Sequence, residues 1–305
     1  MAKVCNVGGQ ALIEGVMMRG VNHISIAVRQ PDNSIVVKVE EIPKFYQNKI
    51  FKLPILRGII ALISSMTIGI DALSYSAEMS GNAEEETKFD KYIKEKFKDK
   101  SNMVLTFISV FISIFLAIII FGIVPTFMSN FFKSIIKNSF MLSMIEGLFK
   151  LFIFLTYIFL ISKLNDVHRV FEYHGAEHMS IHCLEEGLEL NVENVKKFSP
   201  VHERCGTAYL IYLMILSITI YSFITWNSIF LRIFIKILLL PIIAGLGYEL
   251  LKVNAYNMEN KFLKILSKPG LLLQKITTQF PDDAQIEVAI AALNGILEKE
   301  REVNN

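Results

Sequence analysis

The sequence predicts a mainly α-helical, polytopic membrane protein with four transmembrane helices, an extra amphipathic or re-entrant helix, and a small N-terminal β-hairpin region. Three observations carry that prediction. Hydrophobic residues make up 52% of the 305, and the mean hydropathy of +0.44 is high for a water-soluble chain. Four stretches reach the ~20 apolar residues that a spanning helix needs. One N-terminal stretch alternates in short runs about a turn, as a hairpin does.

Taken in order, the chain opens with "GGQALIEGVMMRG" (8–20), where Glu14 and Arg19 sit among apolar residues. Glycines there permit close backbone approach or positive φ. The two charges are either buried and paired with each other or solvated on an ordinary hairpin. "HISIAVRQPDNSIVVKVEEI" follows, with its Pro-Asp-Asn turn, and predicts the hairpin. In "PILRGIIALISSMTIGIDALSYSAEM" (54–79), Arg57, Ser64 and Asp71 recur every seven residues and so align on one helical face. That pattern favours an amphipathic helix in the interface or against the bundle over a true span. "GNAEEETKFDKYIKEKFKDK" is a charged, helical connector.

The expected spans are 102–124, 139–162, 208–226 and 229–251. Glu146 and Lys150 in the second lie four apart and are expected to pair on one helix face. Arg232 and Lys236 open the fourth, where long side chains can snorkel to the interface. Lys and Arg crowd the segments before the first span, between the second and third, and after the fourth. By the positive-inside rule these share the cytoplasmic side, with both termini. The "AQIEVAIAALNGILEKE" run near the C-terminus is amphipathic and follows a helix start signal at Pro281-Asp282-Asp283. The expected division is a cytoplasmic N-terminal region (1–102), a membrane domain (103–251) carrying a cytoplasmic loop at 163–206, and a cytoplasmic helical region (252–305).

Charge and cysteine content narrow the function classes. Lys and Arg number 31 against 29 Asp and Glu, with no basic stripe, so nucleic acid is not an expected partner. The expected partners are the lipid bilayer and a substrate, and a homo-oligomer is compatible with the pattern. Three cysteines are too few for a disulfide framework. The first twenty residues lack the apolar core of a signal peptide.

The chemistry concentrates in "EYHGAEHMSIHC". In a helix, His174 and His178 project from one face one turn apart, the usual way a helix offers two ligands to zinc. Glu177 stands beside the second, where a carboxylate can take a proton from a water that the metal has acidified. His-x-x-Glu-His is the inverted zinc-peptidase spelling, although Gly175 is a poor helix residue. His202 and Cys205 in "SPVHERCGTAYL" offer further ligands, and Glu249 in "GYELL" is a distant carboxylate of the kind that completes such shells. His182, about 12 Å from His174 along a helix axis, cannot share its metal. A closed His174/His178/His202/Cys205 site would be structural, and an open three-ligand site catalytic.

With these stretches placed, the chain resembles the bacterial YqhQ-like family, a domain-of-unknown-function family described as predicted metal-dependent membrane proteins. The resemblance rests on "GGQALIEGVMMRG", "EYHGAEH", "HERCGT", "GYELLK" and "PGLLLQKITTQFPDDAQIEVAIAAL", in order over nearly the whole chain. Glu203 stands where the family pattern has Pro, and Met179 where it has a basic residue; neither is a proposed ligand. The resemblance implies a metal site and no particular reaction. The expected function is a zinc-dependent hydrolase of peptide or amide bonds at the cytoplasmic face of the bacterial inner membrane, using zinc or another divalent transition metal. The alternative is a non-catalytic scaffold or transporter-like protein with a structural metal.

Overall fold

The computed structural model describes residues 7–43, 45, 51, 53–81, 88–98, 101–203, 205–224, 229–256 and 260–304. Cys5, Arg204 and the loop residues Trp226 and Asn227 lie outside them. Strands β1 (Gly8–Leu12), β2 (Gly15–Arg19), β3 (His23–Arg29) and β4 (Ile35–Glu41) form one antiparallel meander in that order. The expected hairpin is β3/β4, with Arg29 opposite Ile35 beside the turn. "GGQALIEGVMMRG" supplies a second hairpin, in which Leu12 and Gly15 flank a two-residue turn. Glu14 sits in that turn at φ 50, a left-handed conformation rare for a residue with a Cβ.

The helices are α1 (Leu56–Met79), α2 (Lys88–Phe97), α3 (Ser101–Ile118), α4 (Val124–Asn130), α5 (Ser139–Ile161), α6 (Asn165–Glu185), α7 (Val192–Val195), α8 (Thr207–Ser222), α9 (Ile229–Tyr256), α10 (Lys261–Thr277) and α11 (Asp283–Asn304), with a π-helical turn at Ile119–Ile123 joining α3 to α4. They form two compact units. One comprises Met1–Asn82, Ile158–Leu216 and Pro241–Asn305; the other comprises Ala83–Tyr157 and Ser217–Leu240. This grouping cuts across the linear division expected from sequence, because the sheet shares its core with helices far along the chain.

In the first unit, period-two alternation gives the sheet two apolar faces. Val16, Met18 and Ala27 pack with Tyr173, Ala176 and Met179 of α6 and with Ile286, Ala289 and Leu293 of α11. Met17, Ile24, Ile26 and Val28 turn the other way and meet Ile68 and Ala72 of α1. Helix α1 is therefore amphipathic in use: its buried stripe is Gly58, Ser64, Ile68, Gly69, Ala72 and Ser76. Its first turn approaches α9 so closely that a Cβ on Gly58 would lie 2.7 Å from Tyr248 Cβ.

Four helices among the described residues are long and apolar enough to cross a membrane: Leu56–Met79, Met103–Asn130, Ser139–Ile161 and Ile233–Asn254. Thr207–Ser222 is a shorter apolar helix. The set differs from the expected one in that α1 qualifies and α8 does not. Length and hydropathy admit α1 although its second half lies on the sheet. Helix α8 has 16 described residues, about 24 Å of rise against a hydrocarbon core of about 30 Å.

In the second unit the expected Glu146–Lys150 pairing is not formed. Glu146 is bonded instead to Lys236 of α9, and it accepts from Thr126 Oγ1 at 2.7 Å. Lys236 is accordingly buried against α5 rather than reaching for the interface; its side chain and that of Glu146 are each 11% exposed.

Candidate metal centre

Helix α6 holds the histidine pair as the spacing predicts. The His174 and His178 rings stand with centroids 4.4 Å apart. Cys205, at the start of the chain's approach to α8, brings its Sγ to 3.4 Å from His174 Nε2. One ligand atom from each of His174, His178 and Cys205 lies within 4.8 Å of the others.

Backbone carbonyls from two other segments orient the rings. His174 Nδ1 is 2.8 Å from the Thr277 carbonyl and His178 Nδ1 is 2.6 Å from that of Pro200. A carbonyl can only accept, so each Nδ1 carries the proton and each Nε2 keeps its lone pair. Burial pushes both imidazoles below their ordinary pKa, and at His178 the neighbouring His174 adds to the effect. The pair is therefore neutral at neutral pH, the form that ligates a metal. Burial also pushes the Cys205 thiol up to about 12, although the Thr207 hydroxyl, 3.2 Å from Sγ, opposes this.

These residues fit a divalent transition metal. With bond lengths of 2.0–2.1 Å to nitrogen and 2.3 Å to sulfur, tetrahedral ligands stand about 3.5 Å apart, close to the 3.4 Å between His174 and Cys205. The carbonyl behind each imidazole is the usual companion of a ligating histidine. A thiol with so high a pKa keeps its proton until a cation displaces it.

Glu177 is buried on the same helix and faces β1, where the Gly9 N–H donates to its carboxylate. Burial raises this carboxyl to about 8. A Cβ on Gly9 would lie 2.7 Å from Glu177 Cδ, so a larger residue there would displace the carboxylate. Glu177, the histidine pair and Cys205 line one cavity of about 150 Å³. Gly8, Gly9 and Gly206 also border a second cavity of about 550 Å³, walled by Leu62, Ile68, Tyr209, Tyr248 and Leu251 with Arg19.

The remaining sequence candidates separate. His202 lines the small cavity, but its Nε2 is 3.3 Å from Glu185 and its ring lies tilted against that of His182, centroids 4.3 Å apart. It stands outside the three-ligand group. Glu249 gives both carboxylate oxygens to Arg57 of α1, which leaves it away from the group as well. Glu14 is bonded to Arg169 of α6 and accepts from the Tyr173 hydroxyl at 3.1 Å, so its partner is not Arg19. Arg19 instead borders the larger cavity.

Several positioning groups escaped sequence reasoning. Thr277, Pro200 and Gly9 act through their backbones, and any residue type carries those atoms. Gln274 is fully buried and accepts from the His202 N–H at 2.9 Å. The one available signal was Gly175 inside a helix: a Cβ there would fall 1.9 Å from the Gln279 carbonyl oxygen. Its absence lets the segment carrying Thr277 seat on α6, where the Gln279 N–H bonds the Phe171 carbonyl at 2.9 Å.

Residues 53–299 match the family model described as "Protein of unknown function (DUF1385)". The chain is also 35% identical over 302 residues to "Uncharacterized protein YqhQ" of Bacillus subtilis (strain 168), covering 96% of this chain and 92% of that protein. No solved structure matches the chain.

Proposed function

The chain belongs to the DUF1385 family, and for it we propose a metal-dependent hydrolase of peptide or amide bonds working at the cytoplasmic membrane face. One observation carries the reading: two histidine Nε2 lone pairs and a cysteine sulfur converge in a cavity whose wall includes a buried carboxylate outside the ligand group. Three protein ligands leave a tetrahedral metal one position for water or substrate. Zinc held there supplies Lewis-acid polarisation of a carbonyl.

The chain's own residues do the rest. His174, His178 and Cys205 hold the ion. Glu177 takes the proton from an attacking water and returns it to the leaving amine, as a positioned general base does. The Gly9 N–H fixes the carboxylate's orientation. The adjoining cavity of about 550 Å³, apolar along α1, α8 and α9, admits a substrate chain from the membrane side.

Packing supports one topology. The sheet, α6 and α11 share one core, so all three lie on one side of the membrane. Between sheet and α6 the chain passes Met103–Asn130 and α5, the two most apolar of the four candidate spans. In this reading an even number of crossings leaves α1 lying against the sheet without crossing. Between α6 and α11 the chain passes α8 and α9, so α8 crosses with α9 despite its length. The Lys-rich flanks assign the shared side to the cytoplasm. Cysteines introduced at 185 and 137 test this: labelling from outside should reach 137 and spare 185, and external labelling of 185 would overturn the arrangement.

The catalytic reading is tested by Glu177→Gln beside the double variant His174→Ala/His178→Ala. The double variant should lose zinc binding, at least about 100-fold in affinity, since even partners behind the ligands are worth 10–100-fold. Glu177→Gln should keep its zinc and its Tm yet lose about 10²–10⁴-fold in rate, read as failure to complement a deletion strain. Normal zinc, normal stability and full complementation would leave a structural metal in a scaffold as the better account.

A further inference from the structure

The second unit carries a separate cluster that the metal centre does not use. Lys150 of α5 and Lys236 of α9 both face the ring of Tyr221 of α8, at 5.9 and 5.5 Å from its centroid. Lys236 is paired with Glu146 and bonds Thr126 Oγ1 at 3.2 Å. Lys150 donates to Ser217 Oγ at 3.3 Å, and among the described residues it has no carboxylate within 4 Å. These groups open on a cavity of about 340 Å³ whose other walls are apolar, among them Ile114, Ile118, Phe121, Ile237 and Leu240. The π-helical turn Ile119–Ile123 forms part of that wall. Such turns mark departures from regular helix that recur at binding sites.

Position and charge together define what the cavity takes. Lys150 is the central residue of the 23-residue helix Ser139–Ile161, about 16 Å from either end. Its four-carbon stem cannot reach an interface from there. Two ammonium groups against one carboxylate leave one positive charge in excess, in surroundings where an ionised side chain is costly and generally functional. Lys236 already holds Glu146, so the excess resides at Lys150. A small inorganic anion would satisfy the charge and leave the apolar wall empty. An alkyl chain ending in an acid satisfies both.

We propose that this cavity binds a lipid acid, an alkyl chain ending in a carboxylate or phosphate monoester, with the acid group against Lys150 and Tyr221 and the chain along Ile118, Phe121 and Ile237. The site is independent of the metal centre and of its proposed hydrolysis.

The experiment uses the full chain purified in an uncharged detergent and a fluorescent 16-carbon fatty acid, with the 16-carbon alcohol as the uncharged control. Saturable binding of about one fatty acid per chain is expected, with the alcohol at least ~10-fold weaker, because an ionic hydrogen bond in a dry site is worth more than a neutral one. Lys150→Met removes a costly charge from a span, so the variant should fold, and it should weaken fatty-acid binding by ~10-fold or more while leaving the alcohol unchanged. Lys150→Arg should retain binding. Ile118→Trp should block acid and alcohol alike by filling the cavity. Competition by lysophosphatidic acid at lower concentration than by unlabelled fatty acid assigns a lipid phosphate, and the reverse order a free carboxylate; both support the site. Equal binding of acid and alcohol, unchanged affinity in Lys150→Met, or no saturable binding overturns it.

Discussion

The candidate metal centre and the charged cluster of α5 and α9 solve the same problem, holding polar groups away from water, by opposite means. At the metal centre the ligands are neutral, and backbone carbonyls of Thr277 and Pro200 orient them. In the spans, full charges on Glu146 and Lys236 hold each other. Neutral ligands on carbonyls can lose their metal and remain satisfied. A charge pair in hydrocarbon cannot lose one partner without leaving the other uncompensated. The first arrangement suits a site that exchanges what it binds; the second suits one that fixes helices and defines an electrostatic pocket.

The contrast breaks most visibly at Glu146. Glu146→Leu strands Lys236 and should destabilise the protein by about 3–5 kcal/mol, the usual cost of breaking a buried pair. Glu146→Leu with Lys236→Met removes both charges and should recover most of that loss. Removing zinc by chelation should cost less stability, because His174, His178 and Cys205 are neutral without it. Thermal unfolding of the four samples in one detergent checks the ranking. A single Glu146 variant as stable as the parent would show that the pair contributes nothing to helix association.

The sequence made the two sites legible to different depths. His174, His178 and Cys205 stood out because metal ligation needs histidine or cysteine and the chain has 6 and 3 of them, and the fold brings these three together. Their supports did not, because a carbonyl is common to every residue. Glu146 and Lys150 stood out as charges in an apolar run, yet neighbours four apart suggested the wrong pair. The true partner, Lys236, comes from another helix, and three-dimensional proximity of that kind leaves no local pattern. Helix α1 shows the same limit. Its seven-residue polar repeat favoured an amphipathic role, while its length and hydropathy admit a span. The sheet face made by Met17, Ile24 and Ile26, which covers Ile68 and Ala72, comes from residues some forty positions earlier and leaves no mark within α1. Glu249 was picked as a distant carboxylate and Glu14 as a charge either paired with Arg19 or solvated; the arginines they bond, Arg57 and Arg169, lie 192 and 155 residues away.

Gly175 offers a smaller but sharper test, because its sign is opposite to the general rule. Glycine inside a helix is ordinarily about 1 kcal/mol worse than alanine, so Gly175→Ala would normally stabilise. Here the new methyl would start 1.9 Å from the Gln279 carbonyl oxygen and 3.3 Å from Pro200 Cβ. The segment must lift from α6 or the helix must shift, and overpacking of this kind costs about 1–3 kcal/mol. Lifting also takes the Thr277 carbonyl off His174 Nδ1 and frees that ring to turn. Zinc affinity should therefore fall about 10–100-fold, as it does when the group behind a ligating histidine is lost. Gly206→Ala is the control: it borders the same cavity, yet nothing lies within 4 Å of the added methyl, so both Tm and affinity should hold. A Gly175→Ala protein with raised Tm and parental zinc affinity would mean that the 277–279 segment does not seat on α6. The carbonyl support that distinguishes the metal centre from the charged cluster would then be lost.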